Sequence, residues 1–449
     1  MIEIDTLLHA RWIVPVIPTG SVLERHAIAI SEGRIVDVIP STDAAQRYRA
    51  SDVQSFDTHA ITPGLVNCHT HAAMSLLRGV GDDLPLMRWL KERIWPLETA
   101  LVSAEFVHDG AQLSALEMLR SGTTTASDMY FFPDSTVRAL RSFGMRVVAG
   151  IIAIEFPTAY ASDAEDYLRK GLATRDTFRT DPLVSFTLAP HAPYTVADQT
   201  LRRIAVLAEE LDLPIHTHVH ETEDEIAESI AQHGCRPIER LDRLGLVSER
   251  LIAVHAVHLD ALEIQLLAQR GASVAHCPAS NLKLGSGLAP IAKLTAAGVN
   301  IAIGTDGAAS NNRSDMVSEL RLAALLAKGG AHDASAFSAP KALESATLGG
   351  ACALGLNRRI GSIEPGKEAD LVAFDLASVE TQPLYDVISQ IVYAAGREHV
   401  SDVWVAGNRV VHKRHAVADS DGSMEMSLMA SVSAWQNRCR QVLLTSGAA

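Results

Sequence analysis

From Gly64 onward the chain repeats one pattern eight times: a short apolar run, a loop, and an amphipathic stretch of helical period. The eight runs are Leu65 to His71, Thr123 to Met129, Met145 to Ile152, Leu183 to Pro190, Pro214 to His220, Leu251 to His258, Ala272 to Cys277 and Asn300 to Asp306. Stretches such as Ala104 to Leu119 and Gln199 to Leu211 lie between them, and Ser121-Gly122, Leu213-Pro214 and Ala297-Gly298 introduce the next run. Strands that alternate with helices are covered on both faces, which requires a parallel sheet. Eight such units in about 300 residues match a closed (β/α)8 barrel. An open doubly wound sheet is the competing architecture, but the Gly-rich phosphate loop after its first strand is missing.

Outside this repeat the period changes to that of strands. Thr6 to Val14, Ser21 to Ile30 and Arg34 to Ile39, the last after the turn Glu32-Gly33, read as a small antiparallel sheet. The alternation returns in Ala369 to Asp375 and Val403 to Val411, with Gly407-Asn408 as a hairpin turn, and Ser427 to Leu444 reads as a helix. The expected fold is therefore α/β, a (β/α)8 TIM barrel with a small β-sandwich domain formed by both chain ends. Its boundaries fall at 1–62 and 362–449 for the β domain and its terminal helix, and at 63–361 for the barrel.

A hydrophobic fraction of 47% in 449 residues fills a core of that size. A formal charge of −14 with no concentrated basic stretch excludes a nucleic-acid or anionic-membrane surface and leaves a small molecule as the expected partner. A homo-oligomer is compatible with the sequence. The five cysteines are scattered and never form Cys-x-x-Cys, so neither a disulfide framework nor a thiolate zinc site is indicated. A cytoplasmic protein is expected: Met1-Ile2-Glu3-Ile4-Asp5 is no basic leader, and no apolar segment is long enough to span a bilayer.

Ligand-capable residues gather at the ends of the expected strands, where a barrel builds its chemistry. The first ends in His69-Thr70-His71, and residues two apart on a strand share a face. The fifth carries His216, His218 and His220 followed by Glu221; the sixth ends with His255 and His258, the seventh with His276, and the eighth with Gly304-Thr305-Asp306-Gly307. A carboxylate following Ile301-Ala302-Ile303 is costly to bury unless it meets a cation. Three imidazoles and one carboxylate with an open position suit one catalytic Zn²⁺ or Fe²⁺.

Thr62-Pro63-Gly64-Leu65-Val66-Asn67-Cys68-His69-Thr70-His71, His218-Val219-His220-Glu221, His255, the run His276 to Leu284 and the run Gly304 to Asn312 together resemble the amidohydrolase superfamily. Within it the chain is similar to the chlorohydrolase-like branch, in particular to the 5′-methylthioadenosine/S-adenosylhomocysteine deaminases. The resemblance spans the whole chain. It implies one divalent metal, zinc or alternatively iron, on His69, His71, His218 and Asp306, and it selects His218 from its strand, with His216 deeper and His220 past the rim. The run Val184 to Pro190 holds no lysine, unlike the carboxylated-lysine site of two-metal relatives.

The same resemblance implies catalytic roles for Glu221, His255 and Asp306: proton transfer from water to N1 of an adenine ring, orientation of the attacking oxygen, and a proton for the departing amine. It implies that His191 meets the purine, that Glu98 accepts both ribose hydroxyls, that Trp89 lines the sugar or thioether pocket, and that Ser310 approaches the substrate's polar end. The implied reaction is deamination of a 5′-thio-substituted adenosine. No arginine follows Gly144-Met145-Arg146 where relatives that handle S-adenosylhomocysteine carry one, which favours 5′-methylthioadenosine, with S-adenosylhomocysteine and adenosine as further candidates and Arg169 or Arg175 as compensating cations. The alternatives are a deaminase of guanine, an oxidised purine or a pterin, a triazine-type chlorohydrolase, and, more remotely, a non-catalytic binding protein on the same scaffold.

Overall fold

A computed structural model describes residues 1–445; the last four residues of the expected C-terminal segment, 446–449, lie outside the described residues. The chain opens with β1 (Ile2–Ile13), β2 (Leu23–Ser31), β3 (Arg34–Pro40) and β4 (Tyr48–Pro63). There follow β5 (Leu65–Thr70), β6 (Thr123–Asp128), β7 (Arg146–Ala153), β8 (Val184–Pro190), β9 (Ile215–Val219), β10 (Leu251–His255), β11 (Ser273–His276) and β12 (Asn300–Ile303). The chain closes with β13 (Leu371–Asp375), β14 (Val400–Val405), β15 (Asn408–His412) and β16 (His415–Ala416), then a helix over Ser423–Thr445.

All eight strands expected after Gly64 form, and β5 to β12 pair in sequence order as one parallel sheet. The two edges of that sheet meet through loop backbone: Thr305 N–H donates to Asn67 Oδ1 at 3.0 Å, and Asp306 N–H to the His69 carbonyl at 3.0 Å. Gly304 permits this approach, since a Cβ there would lie 2.8 Å from the His69 nitrogen. Closure thus sets the Asp306 backbone directly against His69.

The chain ends share a second eight-stranded sheet, in the order β16-β15-β14-β13-β4-β1-β2-β3. The antiparallel expectation holds for β1 with β2 and β2 with β3 but not for β1 with β4, which run parallel. The helix Ser41–Arg47 is the reason: it carries the chain back across the sheet before β4, and parallel neighbours need such a crossover. This long fourth strand was not anticipated. The sheet curls until Ile35 N–H reaches the Lys367 carbonyl and Ala369 N–H the Gly33 carbonyl. Leu8, Ile28, Ile35, Phe56, Leu371 and Trp404 fill the space between its halves. The hairpin turn is Ala406-Gly407, both at positive φ, between the paired Val405 and Asn408.

Arg146, at the start of β7 and 1% exposed, binds the sheet to the barrel by donating to Asp370 Oδ2 at 3.0 Å and Glu368 Oε2 at 2.6 Å. At the other end, the C-terminal helix places Trp435 and Cys439 in one apolar cluster with Trp89, Ile94, Leu97 and Phe106. That cluster supports the helical segment carrying Glu98. No helix among the described residues is long and apolar enough to cross a membrane.

Candidate active site

The C-terminal ends of the barrel strands surround a cavity of about 650 Å³ whose wall includes His71, His191, His218, Glu221, His255 and Asp306. His69 sits just beneath, fully buried. Its Nε2 lies 3.2 Å from His218 Nε2 and 3.4 Å from Asp306 Oδ1, and His71 Nε2 lies 3.3 Å from the same oxygen. Those separations match the edge of a tetrahedron around an ion with bonds of about 2.1 Å, roughly 3.4 Å.

Each ring is turned by a contact on its other nitrogen. His69 Nδ1 meets His216 Nε2 at 2.9 Å, His71 Nδ1 the Met129 carbonyl, and His218 Nδ1 the His191 carbonyl at 2.7 Å. The three Nε2 lone pairs are thereby aimed at one point, and unprotonated nitrogens so close repel unless a cation lies between them. The donor set fits a divalent metal. His255 joins it at longer range, its ligand atom lying within 4.8 Å of those of His69 and His218.

Burial pulls the His69 imidazole down to about 4 and His218 well below its ordinary range, so both are neutral and able to ligate. Asp306 is held well below the usual carboxylate range: burial opposes ionisation, but His69, His71 and His255 outweigh it. Its Oδ2 accepts hydroxyls from Ser280 at 2.6 Å and Ser310 at 2.9 Å, leaving Oδ1 toward the imidazoles. Asp306 and His255 have φ of 58° and 69°, strained backbone of the kind concentrated at functional sites.

Glu221 is 7% exposed, and burial raises its carboxyl above the ordinary range. Its Oε2 stands 3.7 Å from His255 Nε2. Burial disfavours a charged His255, yet the Glu221 and Asp306 carboxylates together bring its pKa above the ordinary value. Asn281 Oδ1 accepts from His255 Nδ1 at 2.8 Å, leaving Nε2 toward the cavity. Glu225 accepts the backbone N–H groups of His220 and Glu221 at 3.0 and 2.9 Å, fixing the turn that presents Glu221.

Glu98, His191, Trp89 and Ser310 all line the cavity. Glu98 Oε1 accepts the Tyr130 hydroxyl at 2.6 Å, and burial raises its carboxyl. His191 Nδ1 bonds Thr195 Oγ1 at 3.0 Å, and burial lowers its pKa to about 3, so it faces the cavity neutral. Trp89 gives its Nε1–H to the Val80 carbonyl, leaving only its ring for the wall. Ser310 stands in the wall with its hydroxyl donating to Asp306 Oδ2.

Two other histidines depart from the reading above. His220 is fully buried, not past the rim: its φ of 58° turns it out of the strand, so it meets the His258 carbonyl and accepts the Ile238 N–H. His276 is buried with neither ring nitrogen partnered among the described residues, and it does not line the cavity. The sequence reading missed the roles of Ser280, Asn281, Tyr130 and Glu225. Ser280 and Asn281 stand in the run His276 to Leu284 already singled out; nothing in the sequence marks Tyr130.

Comparison with known proteins agrees with this geometry. The model of the Amidohydrolase family matches residues 60–410. A 5-methylthioadenosine/S-adenosylhomocysteine deaminase of Teredinibacter turnerae is 47% identical over 411 residues, covering 92% of this chain and 93% of that protein. One of Thermodesulfovibrio yellowstonii is 40% identical over 437 residues, covering 97% and 98%. The crystal structure of an adenosine deaminase from Xanthomonas campestris with bound zinc superposes with a TM-score of 0.96 at 51% identity, covering 98% of this chain and 99% of that one. An atrazine chlorohydrolase of Arthrobacter aurescens, at 24% identity and a TM-score of 0.87 over 96% of this chain and 100% of its own, shares the fold. With the profile matched over most of its length and relatives of this similarity along nearly all of it, the chain belongs to the amidohydrolase family.

Proposed function

We propose that this chain is a metal-dependent aminohydrolase that converts 5′-methylthioadenosine to 5′-methylthioinosine and ammonia, with S-adenosylhomocysteine and adenosine as poorer substrates. The barrel, residues 63–361, carries the chemistry, and 1–62 with 362–449 form its supporting β domain. The names of the relatives support deamination of a 5′-thioadenosine. The preference among substrates rests on one observation: among the described residues, the cavity wall contains no lysine or arginine.

His69, His71, His218 and Asp306 would hold one divalent ion, zinc in view of the zinc in the Xanthomonas deaminase, with iron as the alternative. When bound, such an ion lowers the pKa of a water toward neutrality. Glu221, buried and poorly solvated, takes the proton of the attacking water and delivers it to N1 of the adenine ring. His255 donates from Nε2 to orient the attacking oxygen at C6, and Asp306 takes the second proton of that oxygen after it has added and passes it to the amine, which departs as ammonia when the C6–N bond breaks. Glu98 accepts both ribose hydroxyls, His191 meets the purine, and the Trp89 ring packs against the sugar or thioether. Ser310 acts through Asp306.

Beyond Glu98 the wall continues through Leu86, Leu90, Trp95, Phe156 and Pro157. Trp95 and Phe156 are 38% and 45% exposed, so an apolar rim receives the 5′ substituent. A methylthio group gains from burial there, whereas an amino-acid carboxylate is desolvated with no cation to pair it. Neither proposed substitute cation is in reach: Arg169 is a surface partner of Asp166, and Arg175 lines a separate cavity on the far side of the barrel. Five free cysteines, four of them buried, support residence in a reducing compartment.

The test is metal removal with the adenine-to-hypoxanthine absorbance change on 5′-methylthioadenosine as readout. Loss of turnover on chelation and its return with zinc supports the proposal. Undiminished turnover by metal-free protein, or none in its zinc-loaded form, refutes it.

A further inference from the structure

Glu319 lies on the helix Met316–Ala331, outside the cavity, and is 1% exposed. Its two oxygens reach two different loops. Oε2 accepts the Ala279 N–H at 3.1 Å, and Oε1 accepts the Asn311 side-chain amide at 2.8 Å. Asn311 in turn donates to the Thr305 carbonyl at 2.7 Å, next to Asp306. One carboxylate therefore ties the short helix after β11, Pro278–Lys283, to the one after β12, Ala308–Asn311.

Those two helices carry the groups that touch the reacting centre from behind. Ser280 from one and Ser310 from the other share Asp306 Oδ2, and Asn281 from the first holds His255. Both hydroxyls can reach a single oxygen only while the two helices keep a fixed separation, and Glu319 spans them. No cation pairs with Glu319 among the described residues, and burial pushes its carboxyl up to about 8, so it ties the two loops through hydrogen bonds and not through charge. We infer that Glu319 is a positioning residue for the deamination reaction, setting the spacing of Ser280 and Ser310 so that Asp306 presents Oδ1 toward His69 and His71. The inference rests on the proposal above that Asp306 holds the metal.

The experiment uses the full-length zinc-loaded protein with Glu319→Met, which keeps the volume and removes both acceptors, and Glu319→Gln, which keeps one. Each is measured for kcat, for KM with 5′-methylthioadenosine, and for the rate of zinc loss to a chelator. The expected result is a kcat at least ten-fold lower for Glu319→Met, a smaller loss for Glu319→Gln, KM within about three-fold, and faster zinc loss in the same order. In a Ser280→Ala/Ser310→Ala background the further loss on changing Glu319 shrinks below about three-fold, because the groups it acts through are gone. If Glu319→Met does not accumulate as folded protein, the cycle with Glu319→Gln decides.

Wild-type kcat and zinc retention in the Glu319 variants overturn the inference, as does a loss of undiminished size in the double-alanine background. Failure of the underlying proposal reads differently: wild-type protein would then bind no zinc, or Asp306→Ala would retain it.

Discussion

The Tyr130 hydroxyl donates to Glu98 Oε1 at 2.6 Å, and both residues line the cavity wall, the Tyr130 ring 6.3 Å from the His71 ring. One carboxylate oxygen is thus fixed while the other stays available to a vicinal diol. Glu98→Ala is expected to raise KM for nucleosides by about 10- to 100-fold, the loss of one to two charge-assisted hydrogen bonds, and to leave KM for free adenine nearly unchanged. Steady-state kinetics on both substrate types checks it. Equal losses would separate Glu98 from ribose.

Glu221→Gln should retain zinc and lose about 10²- to 10⁴-fold in kcat, because the amide matches the carboxylate in shape but accepts no proton. Metal analysis of the same sample guards against a trivial explanation. Wild-type turnover would remove its proton-transfer role.

His218 and His216 are distinguished by metal content. His218→Ala removes a proposed ligand and should leave the purified protein largely without zinc. His216→Ala removes only the 2.9 Å contact that turns His69, and should weaken zinc affinity by about 10- to 100-fold without abolishing binding. A reversed order would exchange the two assignments.

His276 gives the pH prediction. Burial lowers its pKa to about 3, against 6.5 in an unfolded chain, so between these values the unfolded state binds a proton that the folded state refuses. Stability is therefore fully present above pH 6.5 and is lost as pH falls toward 3, at up to about 1.4 kcal/mol per pH unit. His276→Leu should lessen the dependence of unfolding free energy on pH below 6.5 by up to about 1.4 kcal/mol per pH unit, the other buried histidines keeping their share, as measured by denaturant titrations at pH 5 and 7. An unchanged slope would contradict the assignment.

The barrel was legible because eight apolar runs each had to be buried on both faces, and burial is written in the residues themselves. The parallel pairing of β1 with β4 was not, since alternation along a strand reports which face is wet and is silent about the direction of its neighbour. That His69, His71, the His216-His218-His220 run and Asp306 stand at strand ends was legible in the same way, but the choice of His218 from its run came from the family resemblance and not from the pattern. His220 was misplaced because its left-handed φ breaks the two-residue period one position after β9 ends. The bond from Ser310 to Asp306 was not legible, because the sequence shows which loop a hydroxyl is on but not which acceptor is nearest. Glu319 was invisible, because its meaning lies in the two loops it joins.

The central claim is tested most directly by following ammonia release from 5′-methylthioadenosine, S-adenosylhomocysteine, adenosine and guanine with one zinc-loaded preparation. The account predicts the highest kcat/KM for 5′-methylthioadenosine, lower values for the other two nucleosides, and none for guanine. Turnover of guanine with 5′-methylthioadenosine untouched would contradict it.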